Sequence, residues 1–97
     1  MLTFEKVLAA FEDYIAEDAR VEILITSHGY AVMEWADISQ DWDEAQICHI
    51  PEDMKDILLG TLDGYLEYKT TLCKRDLTDD ERQPIRDQVE KMSDSIQ

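Results

Sequence analysis

Three groups of side chains in this sequence could do chemistry. Asp41 with Asp43, and Asp53 with Asp56, are carboxylate pairs of the kind used in acid–base or Mg²⁺ chemistry, and Cys48, His49 and His28 are metal-ligating types. None of the three is specific. With 23 Asp and Glu among 97 residues, close carboxylate pairs arise by chance. Adjacent strand residues such as Cys48 and His49 point to opposite faces and cannot easily share one ion. The chain has no glycine-rich phosphate loop, no Cys-x-x-Cys and no Ser-His-Asp or Cys-His signature. The expectation is a protein that is not an enzyme and holds no cofactor or metal.

Charge says more. The 23 acids stand against 9 Lys and Arg, a formal −14. A surplus of that size repels nucleic acid and anionic membranes and steers basic protein surfaces toward the chain. It is also uneven: residues 1–56 carry 14 acids and 3 bases, residues 57–97 only 9 acids and 6 bases. The working face is therefore expected in the first 56 residues. Its candidate partner-binding residues are Glu12, Asp13, Glu34, Asp37, Asp41, Trp42, Asp43 and Glu44. Trp42, set between Asp41 and Asp43, either folds over the sheet edge or anchors a partner, since tryptophan dominates interface energetics.

The elements that must position these residues follow from hydrophobic period. Phe4, Val7, Leu8, Phe11 and Ile15 recur at helical steps behind Thr3 as N-cap, which predicts a helix over 3–17 with Glu5, Glu12 and Asp13 outside. Residues 21–26 and 30–35 read as a hairpin around Ser27-His28-Gly29, with Gly29 in a left-handed bulge position. That loop sets Thr26 opposite Tyr30 and gathers Val21, Ile23, Ile25, Met33 and Trp35 on the buried face. The other face then carries Leu24, Tyr30 and Val32 between Glu22 and Glu34, an apolar strip that suits a homodimer or a partner. Two copies bring like charges together, so such a dimer should strengthen with salt.

A polar loop leads to a third strand over 44–49 and then to a long helix, which Pro51 opens with Glu52 and Asp53 in its first turn. Met54, Ile57, Leu58, Leu62, Tyr65, Leu66 and Leu72 carry its apolar stripe toward Arg75. Gly60 and Gly64 imply close approach of another element. Thr78 and Glu81 form a capping box for a last helix bearing Ile85, Val89, Met92 and Ile96, with a kink or restart at Pro84. The whole reads as one acidic α+β domain over 1–97, ordered α-β-β-β-α-α, with a three-stranded antiparallel meander packed against helices. The 44% apolar content is enough to fold, and no apolar run reaches a membrane span. The start lacks a secretory pattern, so the expected location is cytoplasmic, with Cys48 and Cys73 as reduced, buried thiols.

Several segments together carry a family resemblance: residues 2–8 (LTFEKVL) through Phe11-Glu12-Asp13-Tyr14, residues 29–35 (GYAVMEW), residues 51–56 (PEDMKD), residues 65–68 (YLEY) and residues 77–82 (LTDDER). Over nearly its whole length the chain resembles short acidic proteins of Firmicutes plasmids and other mobile elements, a family that includes anti-CRISPR proteins acting on type II (Cas9) systems. Pro84 departs from the uninterrupted last helix of such a chain. The resemblance implies an inhibitor that binds a basic nucleic-acid-binding surface of Cas9 and competes with guide RNA or target DNA, blocked guide loading being preferred to masking of the PAM-reading site. The competing expectation is a non-enzymatic mobile-element accessory or regulatory protein that dimerises and binds a basic protein partner.

Overall fold

The computed structural model describes residues 1–36, 39–72 and 74–96, so Asp37 of the expected site, and Cys73, lie outside the described residues. Thr3 caps the first helix as the sequence implies, its hydroxyl accepting a hydrogen bond from the Lys6 amide at 3.1 Å. The helix expected over 3–17 is divided into α1 (Phe4–Ala10) and α2 (Glu12–Glu17), which meet at Phe11. Phe11 leaves helical geometry at φ −97° and ψ 7°, yet its amide still bonds the Val7 carbonyl, and the Ile15 amide bonds Phe11. The inward stripe of Val7, Phe11 and Tyr14 therefore survives the break, and all three are buried.

Four strands follow: β1 (Val21–Thr26), β2 (Gly29–Ala36), β3 (Asp41–Trp42) and β4 (Gln46–Cys48). β2 is central, with β1 along one side and β3 and β4 along the other, every pairing antiparallel. The fold is thus α+β in the expected α-β-β-β-α-α order, but the third strand is in two pieces. Trp35 faces Trp42, whereas Val32 faces Gln46, so one extra residue enters between the pieces as a bulge. The continuous strand expected over 44–49 is observed as Gln46–Cys48, the bulge interrupting its pairing before Gln46.

The hairpin register also differs from the sequence reading. Thr26 pairs with Gly29, Ile25 with Tyr30 and Ile23 with Val32, so the loop is Ser27-His28 and Gly29 already belongs to β2. Gly29 has φ +139°, and a Cβ there would lie 2.5 Å from the Cys48 carbonyl oxygen. The glycine serves the close approach of β4 rather than a turn bulge. A one-residue slip exchanges the faces. Val21, Ile23, Tyr30, Val32 and Glu34 point inward, while Glu22, Leu24, Ala31, Met33 and Trp35 point outward. Met33 and Trp35 are therefore not on the buried face, and Ile25, at the inward face's far end, is 82% exposed. The expected dimer strip of Leu24, Tyr30 and Val32 does not exist as one face. Tyr30 stacks on Phe4 with ring centroids 4.7 Å apart, Val32 is 1% exposed, and only Leu24 looks outward.

Pro51 opens α3 (Pro51–Thr71), and Thr78 with Glu81 forms the predicted capping box of α4 (Asp79–Ser95). α3 ends at a left-handed Leu72, φ 54°, short of Arg75, which leaves Leu72 exposed and off the apolar stripe. Pro84 lies within a continuous helix, with no restart. The carbonyl it leaves unpaired belongs to exposed Asp80, where solvent can serve it. α1 and α3 pack on the inward face of the sheet around Val7, Phe11, Val32, Cys48, Met54 and Leu58. α4 runs antiparallel along α3, tied by Arg82–Glu67 at 3.0 Å and by Lys55 Nζ to the Ile96 carbonyl at 3.4 Å. Among the described residues no helix is long and apolar enough to cross a membrane.

Candidate functional site

Among the described residues the helices pack on one side of the sheet, and the outward face is partly exposed, with Ala31 on it buried. Leu24, Ala31 and Ile47 form one row across β1, β2 and β4, and Trp35 and Trp42 form another across β2 and β3. The two indoles meet edge to face, centroids 5.3 Å apart at 81°. Trp42 leans on its cross-strand partner, yet 41% of it remains exposed, as does 49% of Ile47. Together with Leu24 and half-buried Met33, these side chains expose on the order of 300–400 Å², near the upper limit for an ordinary monomer surface. A stable interface takes about 800 Å² from each partner, so this face needs help from its rim.

The rim is acidic at one edge. Asp41, Asp43 and Glu44 are all exposed around Trp42, with the Asp41 carboxylate accepting from the Trp42 amide at 2.8 Å. The Asp43 amide bonds the Glu34 carbonyl at 2.8 Å, which extends the β3 ladder and fixes the acidic run to the sheet. Four of the expected partner-binding residues, Asp41 to Glu44, are therefore gathered at one exposed edge. Glu12 and Asp13 are exposed on α2 in the helical layer, where Asp13 borders a hollow with Leu66, Lys69 and Met92. They do not join the sheet edge.

Glu34 points inward, into a cavity of about 270 Å³ between the sheet and α3 that Asp18, Arg20, Gly60, Thr61, Gly64 and Tyr68 also line. Burial pushes its carboxyl above the usual range, the nearby Asp18 and Asp43 carboxylates push it further, and Arg20 opposes them. Asp18, which the sequence reading passed over, is the buried acid here. It accepts from the Tyr14 hydroxyl at 2.8 Å and from the Arg20 amide at 3.1 Å, and the Arg20 guanidinium, 3.7 Å away, also lies over Tyr68. The signal that could have found it is Tyr14 one helical turn earlier, an i, i+4 pair on the inward side. Nothing lies within 4 Å of a Cβ added at Gly60 or Gly64, so the glycines open this cavity rather than admit another element.

The other chemical groups remain apart. His28 is exposed at the hairpin tip, and His49 is exposed, its amide bonded to Asp53. Cys48 is buried, its thiol 3.7 Å from the Gln46 carbonyl and pushed up by burial and by Asp53, the opposite of an activated thiolate. Among the described residues no three His, Cys, Asp or Glu side chains are grouped to hold a metal ion. What the exposed arrangement can do is pair carboxylates with guanidinium or ammonium groups around an indole. Compared with known protein families, characterised proteins and solved structures, the chain matches none.

Proposed function

We propose that this protein is an inhibitor that binds a basic, nucleic-acid-binding surface of a type II CRISPR effector through its β3 edge, competing there with guide RNA or target DNA. The observation that carries this reading is Trp42, 41% exposed within Asp41, Asp43 and Glu44 at a sheet edge. Carboxylates on and just beyond the short β3 strand match guanidinium groups bidentately, as phosphates do, and so can occupy a site evolved for a nucleic-acid backbone. The indole supplies what a phosphate mimic alone lacks. Burying its remaining surface, on the order of 100 Å², contributes roughly 2–3 kcal/mol at 25 cal/mol per Å². The identity of the target as Cas9 rests on the family resemblance, and the formal −14 supports a basic partner of any kind.

The test is capture of purified Cas9, with and without guide RNA, by the native chain and by Asp41→Lys/Asp43→Lys/Glu44→Lys. Native chain should capture guide-free Cas9, lose it progressively as salt rises, and reduce DNA cleavage when added before the guide. The triple variant should bind roughly 100-fold more weakly, about 2.8 kcal/mol. Binding indifferent to both salt and the triple reversal would refute the electrostatic mechanism. Absence of capture in either state would refute the target.

A further inference from the structure

The opposite edge of the sheet has the reverse character. Among the described residues β1 pairs with β2 alone, so its other side is an open edge of six residues, Val21–Thr26. Natural proteins protect such edges with lysine, proline, bulges or a covering element. This edge has none of the first three, its only charge is Glu22, and Ile25 stands 82% exposed upon it. We propose that β1 pairs with β1 of a second copy, antiparallel about a two-fold axis at Leu24, joining the two sheets into one.

The register follows from the free backbone groups. The Trp35 amide donates to the Arg20 carbonyl at 2.7 Å, so by antiparallel alternation Glu22, Leu24 and Thr26 bond β2, while Val21, Ile23 and Ile25 turn their groups outward. The Val21 amide is already bonded to the Asp18 carbonyl at 3.3 Å. That leaves the Val21 C=O and the N–H and C=O of Ile23 and Ile25; a two-fold axis at Leu24 satisfies the isoleucine groups by setting Ile23 opposite Ile25 of the other copy, and sets Val21 opposite Ser27. The side chains agree with this register. Ile25 covers half-buried Ile23 of the second copy on the inward face, Leu24 meets Leu24 on the outward face, and Glu22 falls opposite Thr26, away from the other Glu22.

Charge selects a second copy as the occupant. A basic strand would find a single carboxylate along this edge, whereas a nearly neutral strand apolar on both faces fits it, and β1 is such a strand. The acidic runs at 41–44 lie on the far edges of the joined sheet, five strand spacings or about 24 Å apart. That is about three Debye lengths at physiological salt, so their repulsion is largely screened. Repulsion between the remaining charges still opposes association at low salt.

Sedimentation velocity of the full chain across protein concentration, at low and at physiological salt, reads this directly. A monomer–dimer equilibrium whose dimer fraction rises with salt is expected. Ile25→Lys and Ile25→Pro should each return the chain to monomer with unchanged far-UV circular dichroism, because Ile25 is exposed and its amide faces the open edge. In a Cys73→Ser background, Leu24→Cys should cross-link on mild oxidation, since directly opposed residues of a non-hydrogen-bonded pair bring their Cα atoms to about 4.5 Å. Thr26→Cys should not cross-link. A monomer at every concentration and salt would overturn the proposal. So would a dimer that survives Ile25→Lys, which would place the contact elsewhere, or cross-linking through position 26 but not 24. Cas9 capture through the β3 edge is measured separately in the Ile25 variants, so failure of the dimer and failure of the proposed function are told apart.

Discussion

Replacing Gly29 by alanine perturbs a position where two independent constraints coincide. The backbone φ of +139° is one that L side chains rarely adopt, and the new Cβ would meet the Cys48 carbonyl oxygen at 2.5 Å. That oxygen belongs to a strand paired with Tyr30 next door, so it cannot swing aside as the end of a flexible side chain would. Backbone strain of this kind costs about 1–3 kcal/mol, and a steric insertion into packed structure about as much again. A loss of roughly 2–6 kcal/mol follows, which at 4–8 °C per kcal/mol for a domain of this size lowers Tm by about 8–48 °C. Gly60→Ala and Gly64→Ala should act in the opposite sense. Both sit in α3 with nothing within 4 Å of the added Cβ, so each should gain about 0.5–1 kcal/mol from reduced unfolded-state freedom. Urea unfolding followed by far-UV circular dichroism measures all three. Gly29→Ala within about 0.5 kcal/mol of native stability would refute the assignment of Gly29 to the β2–β4 approach. Destabilisation by Gly60→Ala would show that the α3 groove is filled.

Two carboxyls should give stability profiles of opposite sign against pH. Glu81, held at about 2 by the Arg75 guanidinium and then by the Thr78 amide and hydroxyl, contributes stability that is complete above its unfolded value of about 4.3 and is lost as pH falls toward 2. Glu81→Gln should therefore flatten the acid limb of the unfolding free energy between those values, as read by urea unfolding across pH. Glu34 is raised by burial and by Asp18 and Asp43, so its ionised form opposes folding once pH exceeds the unfolded value. Glu34→Gln should be more stable than native at neutral pH and should converge with it below about pH 4, while a Glu34→Gln no more stable at neutral pH would place that carboxyl in solvent.

The elements themselves were legible because local signals agree with the fold. Thr3, Pro51 and the Thr78–Glu81 pair each mark the helix start seen in the structure, and the change of hydrophobic period separates helices from strands. Register was not legible, for a local and a tertiary reason. β2 is apolar on both faces, with Tyr30 and Val32 on one and Ala31, Met33 and Trp35 on the other, so no alternation fixes which of its faces is buried. Gly29 then tips the choice wrongly, because the contact that requires glycine is the Cys48 carbonyl nineteen residues on, which no local turn rule contains. The consequences travel through the site: Tyr30 and Val32 leave the expected surface strip, Glu34 turns into the α3 cavity, and Trp35 comes out to meet Trp42. Charge was more robust, since the run Asp41–Glu44 is exposed whichever register β1 takes.

The sheet that results is polarised across its width. One edge carries three exposed carboxylates around a tryptophan, the other a nearly uncharged apolar strand, and the apolar outward face joins them. Such polarity lets a chain of formal −14 self-associate without stacking its acids, provided that contact is made at the neutral edge. The two proposed contacts are then compatible: pairing through β1 leaves both acidic edges free and aims them outward on opposite ends of one continuous sheet. A dimer of this form would engage basic surfaces at two points. If one target presents both, the second contact becomes intramolecular and avidity exceeds that of either edge; if it presents one, the dimer bridges two targets. Titrating the partner against native chain and against Ile25→Lys distinguishes these outcomes from independent single-edge binding, for which the two titrations would coincide.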